Sequence, residues 1–204
     1  MKIGPKYKIA KRLGAGIFEK TQTAKFELSV QRGGMKRSTK RPAQASDYKK
    51  QLIEKQKMRF SYGISEKQLR RYVDESIAKK GHQPIAVLID RLETRLDNVV
   101  YRLGLAKTRQ FARQMVSHGH IIVNGKRLNV PSHKVKLGDI ITIREGSKSS
   151  VMYAEIPEKH EATSVPNWLV LDPKKLEGTV KGAPQYNPTE TLFNAEQVME
   201  YYSR

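Results

Sequence analysis

Residues 95–144 read RLDNVVYRLGLAKTRQFARQMVSHGHIIVNGKRLNVPSHKVKLGDIITIR, and the order of signals along this stretch decides the fold. Leu88, Ile89, Leu92, Leu96, Val99, Val100 and Leu103 recur at i, i+3, i+4 spacing. This predicts one helix with one apolar face, ending at Gly104, the residue that most readily takes a left-handed helix end. Thr108 is a natural N-cap for a second, shorter helix, whose stripe is Phe111, Ala112, Met115 and Val116 and which stops at Gly119. At about 100° per residue, Arg109 and Arg113 share a flank of that stripe with Ser117 beside them. Two guanidiniums one turn apart, next to a buried face, predict a rigid anion site. Ile121–Val123 then runs into Asn124-Gly125, the dipeptide that suits a type I′ hairpin because both central residues need positive φ. Lys126-Arg127-Leu128 is the return strand, and Ile140–Ile143, opened by Gly138-Asp139, is a third.

Upstream, Ser46 opens a helix to about Phe60 with Tyr48, Leu52, Ile53 and Gln56 on a narrow apolar face and Lys49, Lys50, Lys55, Lys57 and Arg59 outside it. Ser65-Glu66-Lys67-Gln68 has capping-box form, and its helix is expected to bury Leu69, Tyr72, Val73 and Ile77 before Gly81. Two narrow stripes need a third element to close a core. Asn194 to Gln197 also has capping-box form, followed by Val198, Met199, Tyr201 and Tyr202, so the C-terminal helix is expected to return to the first two. Trp168–Leu171 and Leu176–Val180 are short strands that extend the sheet to about five. Residues 145–150 read as a flexible turn and 182–191 as a linker. Residues 1–43 lack sustained periodicity, are broken by Gly14, Gly16 and Gly33-Gly34, and read as an extended basic arm that orders only on its partner. Tyr7, Phe18 and Phe26 are spaced along it, suited either to stacking on bases or to anchoring the arm on the folded body.

The fold expected is α+β. A basic arm at 1–43 precedes a helical domain at 44–90, completed by 182–204, with a module of two helices and a small, mostly antiparallel sheet inserted at 91–181.

Charge narrows the partner. The 204 residues carry 39 Lys and Arg against 20 Asp and Glu, a net +19. Residues 1–60 hold +13 and residues 91–145 hold +7, whereas everything after 145 sums to −2. Two separate segments carrying the entire excess point to a polyanion rather than to a generally solvated surface. A membrane span is not expected, since the longest plain apolar run is Ile85–Ile89 and a span needs about 20 residues. MKIGPKYKIAKRLG lacks the apolar core and cleavage site of a signal peptide. With no cysteine, disulfides, thiol catalysis and thiolate zinc sites are ruled out. His118, His120 and His133 lack the spacing of a zinc enzyme and read as loop histidines near a basic surface. The glycines at 14 and 16 are followed by Glu19 where a dinucleotide loop needs its third glycine, and GLAKT at 104–108 lacks the Gly-Lys adjacency of a phosphate loop. Glu93 and Asp97, flanked by Arg91 and Arg95, read as helix-surface ion pairs rather than catalytic carboxylates. No catalytic residues, cofactor or small-molecule substrate are expected, and the chain does not read as an enzyme.

RLDNVVYRLG at 95–104, TRQFARQMVSHGHIIVNGK at 108–126 and GDIITIR at 138–144 resemble the RNA-binding module named after the fourth small-subunit ribosomal protein, S4. SDYKKQLIEKQKMRFSYGISEKQLRRY at 46–72, WLVLDPKKLEGTVKGAP at 168–184 and the closing EYYSR extend the resemblance to the S4 family of ribosomal proteins over essentially the whole chain. Some family members carry a cysteine-ligated zinc in the N-terminal segment, and this cysteine-free sequence departs from them there. The resemblance implies a primary rRNA-binding protein that binds the five-prime domain of small-subunit rRNA early in assembly. It further implies contact with ribosomal protein S5, an influence on translational accuracy through that contact, and a position along the mRNA entry path, all in the small subunit of a cytoplasmic or organellar ribosome. A ribosome-associated stress or rescue factor is the other binding-protein class. The RNA-contacting residues expected are Lys107, Arg109, Arg113 and Ser117 at the module's second helix and Lys126 and Arg127 on its hairpin. In the helical domain they are Lys55, Lys57, Arg59, Tyr62 and Arg70. Lys6, Lys8, Lys11 and Arg12 are expected from the arm, and the resemblance adds Lys36, Arg37, Lys40 and Arg41 near the entry channel. Reversing Arg109 and Arg113 to Glu is expected to weaken RNA binding and leave the fold intact.

Overall fold

The computed structural model describes residues 3–34, 46–148, 165–188 and 191–203. The chain forms two compact units, residues 1–85 with 187–204, and residues 86–186. The fold is α+β, with the strands confined to the second unit.

The first unit contains α1 (Lys6–Leu13), a 3-10 turn (Glu19–Thr21), α2 (Ala24–Gly34), α3 (Asp47–Ser61), α4 (Glu66–Ala78) and the C-terminal α9 (Ala195–Tyr202). Caps expected from sequence are present. The Ser46, Ser65 and Asn194 side chains accept from the backbone N–H groups of Lys49, Gln68 and Gln197. Among the described residues, 3–34 are not extended but form two helices joined through a 3-10 turn. Ala10, Leu13, Ile17, Phe18 and Phe26 are buried in a cluster that Ile53 and Phe60 of α3 join, with the Phe18 and Phe60 rings 6.3 Å apart. The aromatic residues therefore anchor this region to the folded body. Helices as short as α1 are marginal alone, and tertiary burial of its narrow apolar side supplies what periodicity did not reveal. Lys36, Arg37, Lys40 and Arg41 lie outside the described residues.

α9 packs along α3. Gln51 Nε2 donates to Glu200 Oε2 (2.9 Å) and the Asn194 N–H to Glu54 Oε2 (2.8 Å). The α3 face differs from the expected one, because Gln51, Lys55 and Met58 are buried while Tyr48 is half exposed against Tyr201. Ile77, expected inside, is exposed near the end of α4.

In the second unit the expected single helix is two, α5 (Pro84–Glu93) and α6 (Leu96–Arg102). Arg95 is extended (φ −65°, ψ 135°) because the loop before the third strand crosses at this point. Leu96 N–H donates to His133 O, Asp97 N–H to Pro131 O, and Val135 N–H to Thr94 O. The apolar stripe continues across the break because both helices bury the same side, so periodicity alone did not expose it. α7 (Arg109–Ser117) starts at its Thr108 cap, whose Oγ1 accepts from Phe111 N–H at 3.1 Å.

Strands β1 (Ile121–Val123), β2 (Lys126–Arg127), β3 (Ile140–Ile143), β4 (Leu169–Asp172) and β5 (Glu177–Val180) form one antiparallel sheet in the order β2-β1-β3-β5-β4. Asn124 and Gly125 both have positive φ, as the hairpin requires. Alternation turns Ile121, Val123, Ile141, Ile143, Leu169, Leu171 and Val180 inward onto Val99, Leu103, Met115 and Val116 of α6 and α7. Gly178 sits where a Cβ would overlap Leu103, so this glycine sets the spacing between β5 and α6. Residues 145–148, expected as a flexible turn, form a one-turn helix, α8 (Glu145–Lys148).

Candidate nucleic-acid interface

Arg95, Arg102, Arg109 and Arg113 of the second unit are held by buried acids and an amide. Glu93 is buried and binds Arg102 with both oxygens (2.8 and 3.0 Å), and its Oε2 also accepts from Asn98 Nδ2 at 2.8 Å. Asn98 Oδ1 in turn accepts from Arg109 Nε at 2.8 Å, and the Arg109 guanidinium lies 4.4 Å from the centre of the Tyr101 ring. A parallel chain runs through Asp97, which is buried and takes two hydrogen bonds from buried Arg95 (2.7 and 3.0 Å). Arg113 approaches the same carboxylate at 3.7 Å. Glu93 and Asp97 are thus not surface ion pairs: each anchors a guanidinium of α7, directly or through Asn98.

The expected Arg109 and Arg113 pair is therefore formed, with both side chains part-exposed and their direction fixed from below. Lys107 is exposed just before the helix. Ser117 Oγ donates back to Arg113 O at 2.9 Å, which leaves its oxygen as an acceptor toward solvent. On the hairpin, Lys126 and Arg127 are exposed. Arg127 Nη2 also donates to His118 O (3.0 Å) at the end of α7. Gly119 must be glycine here, because its φ is +72° and a Cβ would collide with the Arg127 guanidinium.

In the first unit, α1 exposes Lys8, Lys11 and Arg12, which the i, i+3, i+4 relation places on one face opposite Ala10 and Leu13. Lys11 Nζ also donates to Ser29 O at 2.7 Å, and Lys6 lies over the Phe18 ring. Arg70 is exposed on α4. Two residues expected to touch RNA are interior instead. Lys55 is 4% exposed, bonded to Glu66 Oε1 at 2.8 Å and lying over the Tyr201 ring at 4.7 Å. Tyr62 is 6% exposed and packs beside Phe193, 6.0 Å between ring centres. Both lie under α9 and its approach, which the linear α3 pattern could not show. Lys57 pairs with Glu54 (2.7 Å) and Arg59 with Glu66 (3.4 Å), so both are part-buried members of the α3 ion-pair system.

Glu66 organises that system. Partial burial pushes its carboxyl up, but the hydrogen bonds from Lys55 and Tyr202 and the charges of Lys55 and Arg59 outweigh it and hold the group below the usual range. Burial and the bond to Glu66 push the Tyr202 phenol well above its ordinary value.

Sequence reasoning missed Glu93, Asn98 and Tyr101 as holders of the Arg109 guanidinium. Their spacing crosses the α5–α6 break, so no regular helical repeat marks them. Zinc ligation of the cysteine type is closed to this chain, which has no cysteine, and an apolar cluster occupies the N-terminal segment instead.

A one-sided antiparallel sheet backed by two short helices, with outward guanidiniums braced by buried carboxylates, defines a polyanion-binding module in a chain that also holds a helical unit. Similarity to known proteins makes the class specific. Residues 94–141 match the S4 domain family model, and residues 1–93 match the Ribosomal protein S4/S9 N-terminal domain. Small ribosomal subunit protein uS4 of Persephonella marina is 43% identical over 205 residues, covering 98% of each chain. The protein of that name from Cupriavidus metallidurans is 44% identical over 206 residues, 99% of this chain and 98% of its own. The chain belongs to the small ribosomal subunit protein uS4 family, whose members are structural constituents of that subunit.

Proposed function

We propose that this chain is a primary rRNA-binding protein that recognises the five-prime domain of small-subunit rRNA and nucleates assembly of the subunit in the cytoplasm. The observation that carries the reading is the braced pair Arg109 and Arg113, oriented by Asn98 and Asp97 before any ligand arrives. Affinity comes mainly from lysine and arginine meeting phosphates with release of counterions. Preorganisation supplies the selectivity, because fixed cations fit one arrangement of phosphates, and a folded RNA helix offers its shape more readily than its base edges. Lys107, Lys126 and Arg127 extend this face, while Lys8, Lys11, Arg12 and Arg70 form the first unit's contribution. Lys6 is assigned to the same contribution, as are Lys57 and Arg59 through their exposed portions. Contact with ribosomal protein S5, an effect on translational accuracy and a position along the mRNA entry path follow from the family resemblance, as does the absence of catalysis.

The test is binding of the purified chain to a five-prime-domain rRNA fragment and to an unrelated folded RNA, each across a salt series. Both curves are expected to fall with salt, with the rRNA fragment keeping a large advantage at high salt. Coincident curves would reduce the chain to a general polyanion binder and overturn the proposal.

A further inference from the structure

The end of α7 carries a second arrangement that the phosphate-binding reading does not use. His118 is exposed and His120 part-buried, and their imidazoles are nearly parallel, with planes 25° apart and centres separated by 6.1 Å. His120 is fixed from behind, because its Nδ1 lies 2.9 Å from Ser147 Oγ. Ser147 is itself buried and placed by α8, its N–H donating to Arg144 O at 2.8 Å. Two residues with exposed basic side chains are tied to the pair. Arg144 donates its backbone N–H to His120 O, and Arg127 bonds His118 O through one of its five donors. The result is an anchored ring backing an exposed ring, with the Arg127 guanidinium beside it and Arg144, whose side chain is exposed, held to His120 through its backbone.

We propose that His118, supported by His120, is a stacking platform for an unpaired RNA base, and that Arg127 and Arg144 take the flanking phosphates. The proposal rests on the RNA-binding reading above and names a contact within it. Aromatic faces accept any base because every base has a π-face, and stacked bases contribute about 1–3 kcal/mol each by alanine substitution, a factor of about 5 to 150 in affinity. Such a contact neutralises no phosphate, which separates it from the arginines around it.

The experiment measures affinity for the five-prime-domain fragment and for the unrelated RNA across a salt series at a fixed pH of about 8. It compares the full-length chain with His118→Ala, His118→Phe and Arg127→Gln with Arg144→Gln. His118→Ala is expected to lower affinity by about 5- to 150-fold at every salt concentration with the slope unchanged. His118→Phe is expected to restore most of it, and the arginine pair to make the slope shallower by about one unit for each phosphate no longer neutralised. Wild-type affinity in His118→Ala, equal losses in the Ala and Phe variants, or a shallower slope in His118→Ala would each overturn the platform. A wild type without preference for the rRNA fragment overturns the rRNA reading instead. The Ala and Phe comparison on either RNA still decides whether His118 stacks, so the two ideas fail separately.

Discussion

At the scale of single residues, the arginine pair of α7 is governed by what lies underneath it. The expectation that Arg109 and Arg113 can be reversed to Glu without harm to the fold changes once Asp97 is seen 3.7 Å from Arg113, because a new carboxylate there would face a buried one. Neutral replacement is the cleaner probe. Arg109→Gln with Arg113→Gln is expected to weaken rRNA binding and to make the salt slope shallower by about one unit for each phosphate left unneutralised, with a stability loss of about 1–3 kcal/mol because buried Asn98 and Asp97 lose a partner. Asp97→Ala is expected to do the opposite kind of damage. It removes the carboxylate that takes two hydrogen bonds from buried Arg95, so a loss of about 3–5 kcal/mol should appear in denaturant unfolding, because breaking a buried ion pair by deleting one partner is costly. Glu66 gives a pH dependence. A carboxyl held low in the folded state stabilises the protein above its unfolded pKa of about 4.3, and that contribution is lost as pH falls through the lower folded value. Replacing Glu66 with Gln should therefore flatten the acid limb of a stability-against-pH curve below about pH 4.3. An acid limb as steep as wild type would remove Glu66 as its source.

At the scale of elements, caps and close approaches decide whether short helices persist. α7 has nine residues, and its first turn depends on Thr108. Thr108→Ala is expected to cost about 1 kcal/mol and to speed amide exchange at Phe111 before the rest of the helix. The N-terminal helices depend on burial instead. Phe18 lies inside the cluster with Phe60, and Phe18→Ala is expected to cost about 3–5 kcal/mol. Amides of α1 should be protected from exchange in the free wild-type protein and lose protection in this variant, with those of α7 unaffected. Unprotected α1 amides in the wild type would restore the picture of an arm that folds only on RNA. Legibility at this scale followed local chemistry. The Thr108, Ser46, Ser65 and Asn194 caps, the Asn124-Gly125 turn and all five strands are written in adjacent residues. The break at Arg95 is not, since the atoms that enforce it belong to Pro131, His133 and Val135.

At the scale of the whole molecule, charge is the property that composition states most directly. Residues 1–60 and 91–145 together hold +20 against a net +19 for the chain, and those segments contain the exposed cations of α1 and of α7 with its hairpin. What composition counts as positive is nevertheless not all open to a ligand. Lys55 and Arg95 are interior, and Arg102 is committed to Glu93. The sequence by itself determined the class of fold, the two basic segments, the turn and cap chemistry and the spacing of Arg109 and Arg113 one turn apart on α7, because each depends on neighbours a few positions away. Only the tertiary structure decided that the N-terminal segment is helical, that Lys55 and Tyr62 face inward, and that Glu93, Asp97 and Asn98 brace the site. These depend on which surfaces meet after the chain has folded back: α9 over α3, Phe18 against Phe60, and the loop before β3 across the start of α6. Burial of that kind depends on contacts between distant parts of the chain, and no local pattern of residue types carries it.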